Sequence, residues 1–221
     1  MSDVALVCGG GGALGTAIVE ALLRRGDRVV AVDRTGGAAP PGVRHEALDL
    51  TAPEELSALW ERLSAEDEIP RWVVNAAGGF RVGTVADSEP DAVQFMADLN
   101  LGTAWWSCRE ASRHLPSGGA VVNVGARAAV AGGSGSAAYS VAKAGVVRLT
   151  QVLAAELAER RVRVNAILPS LIDTPANRAS MSADALRNAV APADIASVVA
   201  FLLSDAAAAI TGAIVPVYGF A

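Results

Sequence analysis

The sequence predicts a doubly wound α/β fold, in which helices cover both faces of a parallel sheet. Short apolar runs alternate along the chain with longer segments whose apolar residues recur at helical spacing. A glycine-rich turn joins the first apolar run to the first helical segment. Because a strand, a helix and a further strand in succession form a crossover unit, this alternation implies parallel strands. We expect residues 1–221 to form a single domain.

The composition excludes several classes of partner. The chain carries 18 Lys and Arg residues against 23 Asp and Glu, which gives a formal net charge of -5 at pH 7. An acidic chain of this kind is a poor match for a nucleic-acid backbone or an anionic membrane surface. No apolar run reaches the ~18 residues that a membrane span requires. We therefore expect a small-molecule substrate, and no nucleic acid or membrane, as the partner.

The cysteines and histidines predict neither a disulfide framework nor a metal site. Cys8 and Cys108 are too few for a disulfide scaffold. His45 and His114 lie far apart, so no zinc ligand cluster can be recognised. The first residues show neither the basic region nor the long apolar core of a signal peptide. We expect a reduced, cytoplasmic setting.

The first strand and the first helix flank the glycine-rich turn. Val4 to Cys8 is an apolar run, and the helical pattern after the turn stops at Gly26. Glycines let the main chain turn tightly and approach a pyrophosphate, and the free N–H groups at the start of the helix attract its charge. The residues predicted to contact these phosphates are Gly9, Gly12, Ala13, Leu14 and Gly15.

The second strand ends at a carboxylate. The apolar run from Arg28 to Val32 is followed by Asp33, close to the ~20-residue distance from the glycines at which an acid meets the adenosine ribose. A carboxylate there accepts hydrogen bonds from two ribose hydroxyls and repels a 2′-phosphate, which favours NAD over NADP. Arg34 leaves NADP open, because its guanidinium can pair with that phosphate.

Two further strands are predicted in the first half of the chain. We expect a loop over 36–42, a strand from Val43 to Leu48 that ends at Asp49, and a strand over Trp72 to Val74. Thr51 to Glu54 has the spacing of a capping box and predicts the start of the intervening helix. After the strand over Trp72 to Val74, small residues leave room for a flat ligand at the sheet edge. They are Asn75, Ala76, Ala77 and Gly78.

A long helical pattern runs from about Pro90 to His114 and contains Asn100 among apolar residues. A buried amide needs partners, so Asn100 is expected either to bind main chain or to tie a water chain to the site. Trp105 and Trp106 on the same helix are expected in the core or at a subunit interface.

A second long helix, from Ala137 to about Glu159, carries Tyr139 and Lys143. Residues four apart share a helix face, so both side chains should lie about one turn from each other. An ammonium beside a phenol favours the phenolate and lowers the pKa of the tyrosine. A proton can then pass to or from a substrate oxygen, which makes the two residues a candidate acid/base pair.

The remaining segments complete the alternation. Further strands are predicted at Ala120 to Val124, Arg163 to Leu168 and Ile214 to Val217, and a helix at Ala193 to Leu203. The polar segment at about 170–190 suits a substrate lid over the carboxyl ends of the strands.

Together these residues resemble the short-chain dehydrogenase/reductase family over essentially the whole chain. The matching pieces are the turn from Gly9 to Gly15, Asp33, Asp49, Asn75 to Gly78, Asn100, Tyr139 with Lys143, Pro169 and Thr174. The resemblance implies a Rossmann-type sheet of seven strands, an NAD(P) cofactor and a homodimer or homotetramer. It implies hydride transfer between the nicotinamide and a carbonyl or alcohol substrate.

The resemblance also implies residue roles. Tyr139 would be the acid/base, Lys143 would lower its pKa and hold the nicotinamide ribose, and Asn100 would anchor a water-linked proton relay. Further cofactor contacts are implied for residues outside the glycine turn, namely Asp49, Leu50, Pro169, Ile172 and Thr174.

The sequence departs from the family at the catalytic serine, whose position is occupied by Ala126. That serine normally donates a hydrogen bond to the substrate oxygen, and losing such a contact costs on the order of ten- to a thousandfold in rate. Ser134, Ser136 or a substrate with a strongly polarised acceptor could substitute. Smaller departures are Cys8 and Ala13, at positions where the family usually has threonine and glycine.

The segments at 125–128 and 173–181 resemble the dihydropteridine reductase-like subgroup, which also lacks the serine and reduces a quinonoid dihydropterin with NADH. Asn100, in contrast, is similar to the wider family. Three hypotheses therefore stay open: carbonyl or alcohol turnover, reduction of a quinonoid substrate, and a cofactor-binding protein with lost or weak catalysis.

Overall fold

A computed structural model describes residues 2–35, 42–131 and 133–221 of the chain. In this part of the chain the strands form one parallel seven-stranded sheet, in the order β3-β2-β1-β4-β5-β6-β7. The strands are β1 (Val4–Cys8), β2 (Arg28–Asp33), β3 (Val43–Ala47), β4 (Trp72–Asn75), β5 (Ala120–Val124), β6 (Arg163–Pro169) and β7 (Ile214–Val217). The predicted doubly wound fold class is confirmed.

Helices cover both faces of this sheet. They are α1 (Ala13–Arg25), α2 (Pro53–Ala65), α3 (Pro90–Ala97), α4 (Thr103–His114), α5 (Ala137–Glu156), α6 (Pro175–Ser180), α7 (Ala183–Leu186) and α8 (Pro192–Leu203). Along β1, Leu6 packs into the core formed with α2, α4 and α5. Its neighbour Val7 packs into the core formed with α1 and α8. Successive strand residues point to opposite faces, so a strand covered on both sides is apolar throughout, as β1 is.

The strand order reverses at β1, which has β2 on one side and β4 on the other. The chain leaves β1 towards β2 on one side and leaves β4 towards β5 on the other, so a crevice opens at the carboxyl ends of β1 and β4. The fold therefore places the glycine turn after β1, the carboxylate at the end of β2 and the small residues after β4 around one crevice.

The predicted continuous helix from Pro90 to His114 is wrong in one respect. The segment Asp98–Gly102 between α3 and α4 is π-helical. Inside it, the Nδ2 of Asn100 donates to the carbonyl oxygen of Met96 at 3.2 Å. A π-helical turn contains an additional residue, and such turns occur frequently at functional sites.

The predicted capping box at the start of α2 is also wrong. The cap position is Ala52, which has no side chain able to cap, and Pro53 begins the helix. The Thr51 hydroxyl donates instead to Asp49 Oδ1 at 2.7 Å, and the Thr51 N–H donates to the same oxygen at 2.9 Å. This turn fixes the Asp49 carboxylate before the helix begins.

Other differences from the sequence prediction are small. β3 ends at Ala47 and α5 ends at Glu156, one and three residues earlier than expected, because helix and strand ends carry the weakest pattern. The loop expected over 36–42 lies, apart from residue 42, outside the described residues. Among the helices that the structure describes, none is both long and apolar enough to cross a membrane.

Candidate active site

The glycine turn after β1 packs closely against the turn after β4. Gly9 has a φ of +85°, and a Cβ there would come within 2.5 Å of the Ala77 nitrogen. A Cβ on Gly15 would overlap the carbonyl oxygen of Gly9. Gly12 occupies the cap position of α1 without a capping side chain, so the first N–H groups of α1 remain available to an anion. Glycine is therefore required at 9 and 15.

The two other residues predicted to contact phosphate differ in exposure. Ala13 is exposed at the first position of α1, so the methyl group that replaces the usual glycine meets no obstacle. Leu14 is buried in the core between α1 and the sheet. Leu14 therefore contributes to the site through its main chain and through the packing of α1.

A cavity of about 360 Å³ occupies the crevice. It is lined by Gly9, Gly12, Asp33, Arg34, Asp49, Leu50, Thr51, Ala76, Ala77, Gly78, Phe95, Asp98, Leu99 and Thr103. Nine of the eighteen residues predicted to contact the cofactor thus line one cavity. Sequence reasoning missed the contribution of the α3 to α4 region, because its lining residues follow an ordinary helical core pattern.

Asp33 supports the glycine turn as well as facing the cavity. Its Oδ2 accepts from the Gly11 N–H at 3.1 Å, and its Oδ1 accepts from the Arg34 N–H at 2.8 Å. Each carboxylate oxygen keeps a further lone pair for a ligand. Arg34 is exposed on the same rim.

Asp49 lies across the cavity from the glycine turn. Hydrogen bonds from the Thr51 hydroxyl and N–H, and to a lesser extent the charge of Arg34, hold the pKa of the Asp49 carboxyl below its usual value. Leu50 beside it is buried and also lines the cavity. This part of the cavity therefore combines a fixed anion with an apolar side chain.

Asn75 does not line the cavity, although the sequence suggested a direct cofactor contact. Its Nδ2 donates to Asn123 Oδ1 at 2.8 Å, and the Nδ2 of Asn123 donates to Thr150 Oγ1 at 2.9 Å. These buried amides connect β4, β5 and α5. Asn75 therefore positions the turn from Ala76 to Gly78 from below, and the main chain of that turn faces the cavity.

Asn100 holds the same turn from the other side. The Gly79 N–H donates to Asn100 Oδ1 at 3.2 Å, and Asn100 Nδ2 donates to the Gly79 carbonyl oxygen at 3.0 Å. A Cβ on Gly78 would lie 2.7 Å from Asn100 Oδ1 and 3.2 Å from Lys143 Nζ. The structure therefore brings Asn100 and Lys143 together beside Gly78.

Lys143 is the only lysine in the chain and is 4% exposed. Its Nζ donates to the Val124 carbonyl oxygen at 2.9 Å, which is its one hydrogen bond within the described residues. Burial lowers the pKa of Lys143 to about 8. An ammonium has three donors, so two remain for a ligand.

The pKa of Tyr139 differs from the sequence prediction. Burial raises the pKa of Tyr139 above its usual value, where we expected Lys143 to lower it. The physical reason is that the Lys143 ammonium points to the Val124 carbonyl oxygen and does not compensate for the desolvation of the phenol. Tyr139 is therefore a neutral phenol at neutral pH.

Phe80 is a neighbour of Tyr139 that sequence reasoning missed. The two rings meet edge to face, with centroids 5.1 Å apart, although Phe80 is 61% exposed. The loop carrying Phe80 is fixed by Asn100 at Gly79 and by two hydrogen bonds of Gly83, to Gly135 at 2.9 Å and from Ala137 at 3.0 Å. The only available signal was the position of Phe80 after the small residues that follow β4.

The residues proposed around the substrate have different surroundings. Ala126 is buried and presents only a methyl group, while Ser134 is exposed. The hydroxyls of Ser136 and Ser140 are 3.1 Å apart and hydrogen bond to each other. Within the described residues, neither Ser134 nor Ser136 forms a side-chain hydrogen bond with Tyr139 that would identify it as a replacement for the missing hydroxyl.

The segment after β6 holds the last predicted residues. Pro169 ends β6, and Ile172 pairs with Val190 in an isolated bridge. Thr174 caps α6 by accepting from the Asn177 N–H at 3.2 Å. These residues lie after the carboxyl end of the sheet but do not line the crevice cavity.

Comparison with known proteins gives consistent matches over nearly the whole chain. A family model described as enoyl-(acyl carrier protein) reductase matches residues 11–219. Carbonyl reductase family member 4 of Danio rerio is 34% identical over 219 residues, covering 93% of this chain and 92% of that protein. The cis-4-hydroxycyclohexanecarboxylate dehydrogenase of Sinomonas cyclohexanicum is 33% identical over 236 residues, covering 98% of this chain and 95% of that protein. A solved short-chain dehydrogenase/reductase from Serratia marcescens superposes with a TM-score of 0.91 at 27% identity, covering 99% and 97%.

Burial of Lys143 predicts a specific dependence of stability on pH. Below pH 8 the lysine is protonated in both states, and the cost of burying its charge is fully present. Between about 8 and its ordinary value of 10.5, the unfolded chain binds more protons than the folded chain, so stability rises with pH. Relative to Lys143→Met, wild type should gain on the order of 3 kcal/mol of unfolding free energy across this range.

Chemical denaturation of both proteins without cofactor at several pH values measures this difference. The tyrosine and cysteines titrate in both proteins and cancel. A wild-type-to-variant difference that stays flat from pH 7.5 to 10.5 would contradict a lowered pKa.

Proposed function

We propose, from the premise that the chain belongs to the short-chain dehydrogenase/reductase family, that this NAD(P)-dependent oxidoreductase transfers hydride between the nicotinamide and a carbonyl or alcohol carbon. The observation that carries the proposal is that Lys143 meets Asn100 and Gly78 at the crevice. Lys143 lies on the same helix as Tyr139. Relatives named carbonyl reductase and cis-4-hydroxycyclohexanecarboxylate dehydrogenase support this reaction type.

The crevice fits a dinucleotide. The glycine turn leaves no room for side chains between β1 and the β4 turn, and the start of α1 offers free N–H groups to a diphosphate. We propose that Asp33 binds the adenosine ribose, that Asp49 and Leu50 border the adenine, and that the two free donors of Lys143 bind the second ribose. When bound, the nicotinamide supplies hydride chemistry at its C4.

We propose Tyr139 as the general acid in reduction. Because its pKa is raised, the phenol keeps its proton at neutral pH and can donate it to the substrate oxygen as charge develops there. Lys143 has a pKa of about 8, so it is mostly protonated at pH 7 and stabilises the phenolate left behind. In the oxidation direction the phenol must first lose its proton, which requires a higher pH.

For Asn100 we propose two roles. It positions the Gly79 turn through its reciprocal hydrogen bonds, and its Oδ1 has a second lone pair on the side of Gly78 that also holds Lys143. That lone pair can accept from a water molecule linked to Lys143, as the expected proton relay requires. The segment at 170–190, with α6 and α7, is proposed as the substrate lid, with Ile172 and Thr174 contributing to the nicotinamide end.

A quinonoid substrate, as in the dihydropteridine reductase-like subgroup, is the second candidate. Ala126 offers no hydrogen bond to the substrate oxygen, and the exposed ring of Phe80 beside Tyr139 suits a flat conjugated ring.

A cofactor-binding protein with lost or weak catalysis is the third candidate. Binding of NADH without turnover on a broad panel of carbonyl and quinonoid compounds would favour that third candidate.

Two buried free thiols are in keeping with a cytoplasmic setting, which we also propose.

Replacing Tyr139 by Phe tests the acid/base proposal. The variant removes only a hydroxyl that acts in the transition state, so turnover should fall by about a hundredfold or more while NADH affinity stays nearly unchanged. Lys143→Met should lower both the turnover rate and the affinity for NADH. Steady-state rates and fluorescence titration of NADH measure the two effects, and a Tyr139→Phe rate above about a tenth of wild type would exclude this mechanism.

Cofactor preference tests the role of Asp33. We expect NADH to bind more tightly than NADPH, because the carboxylate accepts from ribose hydroxyls and repels a 2′-phosphate. Asp33→Asn keeps an acceptor for the Gly11 N–H but loses the charge, so it should reduce the preference. Arg34→Gln is the matched control and should weaken NADPH more than NADH. A tenfold preference of wild type for NADPH would instead assign the ribose pocket to Arg34.

We propose that each copy of the chain pairs with a neighbouring copy through α4 and α5, within a homodimer or a homotetramer. A groove of about 440 Å³ runs between these helices, with half-exposed Trp105 and Val152 along it. The small residues Gly145 and Ala155 also lie on α5, where Gly145 faces Leu101 of its own chain and Ala155 is exposed. The apolar groove, more than these small residues, supports the pairing.

Sedimentation at micromolar concentration tests the pairing. Val152→Glu places a charge in the groove and should dissociate the oligomer to its 22.4 kDa chain. Val141→Glu is the matched control, because Val141 is 73% exposed on the same helix and does not line the groove. A wild-type protein that sediments only as a monomer would refute the proposal.

A further inference from the structure

The stretch over residues 120–131, which comprises β5 and the turn after it, offers one free side-chain hydrogen-bond donor. Over residues 120–131, only Asn123 and Arg127 have side chains with N–H or O–H groups. Asn123 is fully buried, and its amide is engaged by Asn75 and Thr150. Arg127, directly after the Ala126 position, is therefore the donor that this segment can present to a substrate.

The position of Arg127 relates it to the candidate active site. The turn Arg127–Ala129 packs against α5, which carries Tyr139, and against β6. The Arg127 guanidinium lies over the Tyr218 ring, 5.2 Å from its centroid, and Tyr218 directly follows β7. Ser170 Oγ donates to the Tyr218 carbonyl oxygen at 3.0 Å, which ties that residue to the end of β6. The guanidinium thus lies at the carboxyl edge of the sheet.

The charge of Arg127 is not neutralised by the chain. Within the ranges that the structure describes, no carboxylate oxygen lies within 4 Å of its guanidinium, and the side chain is exposed. Arg178 on the same edge differs, because Asp173 binds it through two hydrogen bonds of 2.5 and 2.6 Å. A guanidinium stacked on a ring keeps its in-plane N–H groups available, and their fork matches a carboxylate.

We infer that Arg127 is a specificity-determining residue that binds a carboxylate group of the substrate. The inference rests on the proposed oxidoreductase function and names the substrate class of that site, an oxo or hydroxy acid. Ala126 offers no hydrogen bond to the reacting oxygen, which leaves Tyr139 as its proposed donor, and a contact elsewhere on the substrate would supply the orientation that one donor does not. Binding a remote anionic group can provide this orientation at the reacting carbon.

Matched pairs of acids and methyl esters test the inference. The pairs 4-oxopentanoate, 4-oxocyclohexanecarboxylate and 4-acetylbenzoate, each with its methyl ester, keep the ketone and change only the charge. Wild type should show a higher kcat/KM for the acid in at least one pair, by about tenfold to a hundredfold. Arg127→Leu should remove this preference, and Arg127→Lys should keep part of it.

Arg81→Leu is the matched control. Among the described residues Arg81 also has no carboxylate within 4 Å, and its guanidinium stacks on Phe95 at 4.0 Å, next to the cofactor cavity. This variant should leave the acid-to-ester ratio unchanged. The inference is overturned if wild type uses esters as well as acids in every pair, or if Arg127→Leu keeps the preference.

A binding readout separates this inference from the proposed reaction. If none of the six compounds is reduced with NADH or NADPH, the proposed function fails for this class. Titration of 4-acetylbenzoate and its methyl ester into the NAD-saturated protein then decides the role of Arg127. If the acid binds to wild type and Arg127→Leu weakens this binding at least tenfold, the role of Arg127 is supported. If the acid does not bind to wild type, that role is refuted.

Discussion

The reciprocal hydrogen bonds between Asn100 and Gly79 are the contact on which the candidate site depends. They fix the turn after β4, which places Gly78 against the Lys143 ammonium and Phe80 against the Tyr139 ring. The π-helical segment around Asn100 connects this turn to α3 and α4. Both N–H groups of the buried amide donate to main-chain carbonyl oxygens and its oxygen accepts from the Gly79 N–H, so its burial avoids the cost of an unpaired amide.

Burial acts on the two titratable groups of the site in opposite directions. It raises the pKa of Tyr139 and lowers the pKa of Lys143, so it favours the neutral form of each. Both shifts have the same cause, the removal of water from this end of the crevice. The chain alone therefore supplies a phenol that holds its proton, and a lysine close to its titration point, which a bound anion would shift towards the charged form.

The sequence was sufficient for the sheet, the crevice and most of its lining. The strands and their parallel arrangement, the glycine turn and Asp33 follow from local periodicity and from spacing, which a single sequence displays. The π-helical segment could not be predicted, because its residues follow an ordinary helical pattern and its Asn100 has its partner Gly79 twenty-one residues away. The pKa of Tyr139 was predicted in the wrong direction, because four-residue spacing shows proximity but not where the ammonium points. Phe80 lies in no motif, and the resemblance of segment 125–128 gives Arg127 no role of its own, so the interest of both residues follows from the rings and charges around them.

The presence of one lysine in the chain has a consequence for proteolysis. All other basic side chains except the histidines are arginines, so a protease specific for lysine has one cleavage position, after Lys143. That position lies in α5 with its side chain buried beneath the site. Only molecules in which this helix has opened can be cut, so the cleavage rate reports local unfolding at the site. A ligand that binds the closed crevice slows this cleavage by stabilising the folded state.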